Sequence, residues 1–134
     1  VMIMVEMAHD ARIIPIDKEH RPDAWKPWLG DSVAHWDGDT LVVETSNLHP
    51  QQAPRNIAAL SDEGKVVERF SRYSDEQILY EFEVTDPVFY TEAWSGEMVF
   101  NTTDTQPYEY ACHEGNYGLP GILAGARRLE MEEQ

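Results

Sequence analysis

The chain has 134 residues and carries 25 acidic against 10 basic side chains, a formal net charge of −15. That charge argues against nucleic acid and anionic lipid as partners, since both would be repelled, while 42% apolar content is too high for a disordered acidic tail. The length fits one domain, 1–134, no 18-residue apolar run is present to span a bilayer, and a single cysteine, Cys112, rules out an internal disulfide and a cysteine-only metal cage.

The chain opens at Val1 on the apolar run VMIMVEM, with no basic leader region, so it reads as a strand under way rather than a signal peptide. Such a start fits a mature product or a piece of a longer chain. Val1–Met7 predicts the first strand, and Ala8-His9-Asp10-Ala11 a turn into a second at Arg12–Asp17, where Pro15 marks an edge or a bulge. Strands at Ser32–Trp36 and Thr40–Ser46 flank Asp37-Gly38-Asp39, because glycine supplies the positive φ that a tight hairpin needs. Lys65–Tyr73 and Gln77–Val84 flank Ser74-Asp75-Glu76 as a second hairpin. Phe89–Asn101 holds a further strand and Tyr108–His113 the eighth.

This mainly β pattern predicts an antiparallel meander of about eight strands closing into a small, calycin-like barrel, since closure removes exposed edges. Leu119, Ile122, Leu123, Ala126 and Leu129 recur at helical spacing, so Leu119–Glu132 is expected as a helix packed on the barrel. Two long links, Lys18–Asp31 and Asn47–Gly64, would fold over the barrel mouth, the second with a helical turn at Asn56–Leu60.

Strand alternation then sorts the side chains. Ile78, Tyr80, Phe82 and Val84 share one face, expected in the core, while Leu79, Glu81 and Glu83 face solvent. Glu44, Glu68, Arg69, Glu109 and His113 form either a buried charged network or a solvated wall. Trp36 and Trp94 are expected in the core, and Cys112 as a small core residue.

The candidate chemistry centres on His113-Glu114 at the end of the last strand, beside a glycine-containing turn. A histidine oriented by a carboxylate can act as general acid or base. His113 would transfer the proton, Glu114 or Glu109 would orient it, and Tyr117 and His9 would assist. The bland alternative is that His113 only caps the turn. Cofactor motifs are absent, so none is expected. A divalent metal on His9 and His113 is an alternative that no spacing motif requires. Cys112 and His113 are adjacent on the expected strand and point apart, so the thiol is not activated. Trp25 and Trp28 in a proline-braced loop are costly to expose; they would plug a barrel end or wall a binding site, with Tyr80 and Arg69 as further substrate contacts.

Five stretches together, EMAHDARIIPID, GDSVAHWDGDTLVVETSN, VVERFSR, LYEFEVTDP and YEYACHEGNYGLPGILAGAR, resemble the C-terminal region of longer, mostly secreted, uncharacterised bacterial proteins found in acidobacterial and proteobacterial genomes. The resemblance implies export and a preceding portion of chain, and implies no particular reaction. The loop at Lys18–Pro27 departs from the short glycine-containing turn usual in that group.

Three functions follow as expectations. The first is a small exported β-barrel enzyme doing acid–base chemistry, as an isomerase, lyase or hydrolase, on a small aromatic or sugar-derived substrate. The second is a non-catalytic ligand-binding barrel whose pocket is lined by Met2, Met4, Tyr80 and Phe82. The third is an interaction domain whose first strand and loops dock a partner or a second copy in a homodimer.

Overall fold

The computed structural model describes residues 1–6, 9–22, 25–51, 58–111 and 113–132. Two antiparallel sheets and one helix make up the regular structure. Strands β1 (Met2–Met4) and β2 (Ala11–Ile13) pair as an N-terminal hairpin, with Ile3 opposite Arg12. The main sheet runs in sequence order through β3 (Asp31–Asp37), β4 (Thr40–Ser46), β5 (Lys65–Arg72), β6 (Gln77–Thr85) and β7 (Trp94–Asn101). Helix α1 spans Gly118–Glu132.

Short connections dictate this meander. Gly38, at the first of two residues between β3 and β4, has φ +59°, the sign a tight hairpin needs there. Side chains then alternate between two faces. Ala34, Leu41, Val43, Glu68, Phe70, Tyr80 and Phe82 share the inner face; Val42, Arg69 and Glu81 are on the outer one. The N-terminal hairpin lies across the inner face. Ile14, Ala34, Leu41 and Val43 form the buried cluster, with Ile3, Ile16 and Phe70 packed against it.

Among the described residues the sheet does not close into a barrel, and there are seven strands rather than eight. The reason lies at its first edge. Beyond β2 the chain runs beside β3: the Ala34 amide donates to the Pro15 carbonyl at 2.9 Å, and the Asp17 amide to the Ala34 carbonyl at 2.8 Å. Pro15 supplies only an acceptor there, as a residue with no N–H must. That edge is occupied, so β7 has nothing to close onto.

Among the described residues of Tyr108–His113 the expected strand does not form. The Thr102 amide donates to the Glu76 carbonyl at 2.8 Å, ending the β6–β7 ladder, and the chain then leaves the sheet. Alternation alone makes no strand without a ladder to join. Phe89–Ala93 likewise precedes β7 rather than belonging to it. Helix α1 has the expected extent within one residue, but none of its residues is buried. Trp36, expected in the core, is 56% exposed. The expected helical turn at Asn56–Leu60 and the core role of Cys112 fall wholly or partly outside the described residues.

Candidate functional site

A cleft of about 390 Å³ opens between the N-terminal hairpin and the loop that follows it. Arg12, Arg21, Trp25, Trp28, Asp10 and Asp31 are among its walls. The loop is built to hold the two indoles. The Trp25 amide donates to the Pro22 carbonyl at 2.9 Å, and the Gly30 amide to the Pro27 carbonyl at 3.0 Å. Gly30 has φ +77°, and a Cβ there would meet the Thr45 methyl, the Leu48 side chain and the Ser46 carbonyl at 2.8 to 2.9 Å. Only glycine fits that approach.

Side chains pin both ends of the loop. Buried Asp31 accepts the Arg21 amide at 2.7 Å and contacts His20 Nδ1 at 3.1 Å. Lys26 pairs with Asp62, and its ammonium, donating to that carboxylate, holds Asp62 below the usual carboxylate range. The Arg21 guanidinium carbon lies 3.9 Å from the Trp25 ring centroid, a cation–π contact. Trp28 is braced by His49, ring centroids 5.2 Å apart.

One wall is tied to the sheet. Arg12 forms a forked pair with Glu68, at 2.7 and 3.0 Å. Glu68 is 5% exposed and also accepts the Tyr80 hydroxyl at 2.9 Å. Burial, reinforced by the Glu68 charge, raises the Tyr80 phenol above the usual tyrosine range, so it keeps the proton it donates to Glu68. Tyr80 also begins a run of rings across the inner face: Phe70 and Phe100 lie 5.0 and 5.1 Å from it.

His20, Asp31 and Ser46 have the composition of a hydrolase triad without its geometry. Asp31 and Ser46 both approach Nδ1 of His20, at 3.1 and 3.3 Å. A relay needs the acid and the nucleophile on different ring nitrogens.

The expected site residues are not brought together. Trp25 and Trp28 share the cleft as expected. Tyr80 lies on the inner face beside Glu68, while Arg69 is on the outer face, paired with Asp37 at 2.7 Å. Arg69 lines a shallow concavity of about 540 Å³ there with Glu81, Glu83 and Glu97. Glu109, His113, Glu114 and Tyr117 are exposed on the irregular stretch between β7 and α1, and none of them lines the cleft or the concavity. Among the described residues, no carboxylate hydrogen-bonds the His113 ring. The expected charged set therefore divides: Glu68 is buried inside, Glu44 and Arg69 lie on the outer face, and Glu109 and His113 are off the sheet.

His9 is exposed at the hairpin turn with φ +53°, one residue from the cleft-lining Asp10. No group of three metal-ligating side chains converges among the described residues. Arg21 and Asp31 were not singled out from the sequence, and Asp10 and Arg12 were read only as part of the first hairpin turn and its surroundings. Arg21 carried a faint signal, sitting beside Pro22 in the tryptophan loop; Arg12 carried none, because its partner Glu68 is far away in the chain.

The chain matches no protein-family model, no curated protein and no solved structure. Among the described residues, no helix is long and apolar enough to cross a membrane.

Proposed function

We propose that the chain is a ligand-binding β domain whose cleft takes one small ring compound of the aromatic or sugar-derived class. The observation that carries this reading is the pair of indoles held by a braced loop over a cleft with charged walls. Its volume, about 390 Å³, is at the small end for ligand sites and suits a single substituted ring. Indole faces stack on flat apolar rings or on the C–H face of a sugar. Arg12 is engaged by Glu68 and Arg21 faces Asp31 at 3.9 Å, which leaves Asp10 as the further wall charge. A neutral, zwitterionic or weakly cationic ligand is therefore favoured over an anionic one. On the resemblance of its motifs, the proposed setting is outside the cytoplasm.

An acid–base role for His113 draws no such support, because the ring is exposed and, among the described residues, no carboxylate orients it.

Calorimetric titration of a panel of monosaccharides and substituted aromatic compounds tests the proposal. A hit should bind the native chain, and Trp25→Ala and Trp28→Ala should each weaken it at least tenfold, about 1.4 kcal/mol. Panel-wide absence of heat, or a hit that binds both variants unchanged, would overturn it.

A further inference from the structure

The molecule exposes 10443 Å². A compact monomer of its 15.4 kDa mass should expose about 7,200 Å², so roughly 3,000 Å² stays uncovered beyond the norm. Two apolar surfaces contribute to the excess. One is the stripe along α1, where Leu119, Ile122, Leu123 and Leu129 fall within about 120° of the helix circumference. Ile122 is 70% exposed. The other is the part of the inner sheet face that the N-terminal hairpin leaves bare, where Ile78, Met98 and Phe100 are all more than 40% exposed.

We propose that the chain forms a symmetric dimer in which α1 of each copy covers the bare β6–β7 face of the other. Three observations favour a second copy as the occupant. The uncovered area is more than a standard contact takes, about 800 Å² per partner, and is enough for the roughly 1,000–2,500 Å² or more that obligate dimers bury on each side. An unpartnered apolar helix stripe and an unpartnered apolar sheet face occur on the same chain, so a two-fold arrangement covers both twice. Residues 102–117, exposed throughout among the described ones, carry α1 away from its own sheet; fully extended they span roughly 50 Å.

The net charge of −15 means that two copies repel. The contact is apolar, so added salt should tighten it by screening that repulsion, the reverse of a contact held by ion pairs.

Sedimentation velocity on the 134-residue chain tests this, using Ile122→Asp on the helix and Met98→Asp on the sheet. Both side chains are exposed in the single copy, so each variant should keep the native circular dichroism, its melting temperature falling only by what the lost association contributes. The expected result is a dimer for the native chain that strengthens with salt, and a monomer for each variant. Mixing the two variants should restore a weaker dimer, because the Met98→Asp helix and the Ile122→Asp sheet are both intact. A monomeric native chain overturns the proposal, including one whose helix resists proteolysis because it has folded onto its own sheet. A dimer that neither variant disrupts, one that weakens with salt, or a mixture that shows no recovery also overturns it.

Discussion

Replacing Arg12 with alanine should cost far more than loss of a surface ion pair. Glu68 would keep its place beneath the hairpin, with its side chain 7% exposed, and would retain only the Tyr80 hydroxyl at 2.9 Å. Removing one partner of a buried pair costs about 3–5 kcal/mol, because the remaining charge is left uncompensated. The Arg12 side chain is 22% exposed, so water reaches one side of the pair. The lower end of that range applies, about 3 kcal/mol. For a chain of this length that corresponds to a fall in melting temperature of about 12 °C. Urea unfolding followed by circular dichroism measures the loss directly. The double replacement Arg12→Met with Glu68→Leu should recover to within about 2 kcal/mol of the native chain, since an apolar pair of similar volume removes the stranded charge and leaves only the Tyr80 hydroxyl without its acceptor. A loss below about 1 kcal/mol for Arg12→Ala, the range of exposed pairs, would refute the reasoning. So would a double variant less stable than the single one.

Two further predictions concern the loops around the sheet. Asp86, 1% exposed, accepts hydrogen bonds from the Ser61 amide and hydroxyl and from the Val88 and Phe89 amides. Burial acts to raise its pKa, but these four donors outweigh it and hold the carboxyl below the usual range. A depressed folded-state pKa stabilises above the unfolded value of about 3.9 and is lost as pH falls below it. Asp86→Asn should flatten the acid limb of a stability–pH profile; an unchanged limb would contradict the assignment. Gly30→Ala should cost about 2–3 kcal/mol, because alanine resists positive φ and its methyl group overlaps three neighbours. A melt within error of native would show that the loop has slack.

Local pairing was legible in the sequence. Asp37-Gly38-Asp39 and Ser74-Asp75-Glu76 each join strands that do pair, and β1 pairs with β2. These features depend on residues close together in the chain, where turn chemistry decides register. Closure was not legible. It turns on whether β3's outer edge is free, and residues 15–17 occupy it through backbone hydrogen bonds that no side-chain pattern announces. The inner face of β6 is covered unevenly: Val84 is buried, while Ile78, on the same face, is 41% exposed. Of the site, the tryptophan pair could be read because two indoles in a proline-braced loop need a reason to be there. The Arg12–Glu68–Tyr80 contacts could not, since they join three separate strands and both members of the ion pair sit in ordinary alternating segments.

The cleft itself is most directly tested by following the four indole N–H resonances while a ring compound found in the panel is added. The account expects the Trp25 and Trp28 signals to move together and to saturate, with Trp36 and Trp94, which do not line the cleft, nearly still. Movement confined to Trp36 or Trp94, or none in any of the four at saturating ligand, would contradict it.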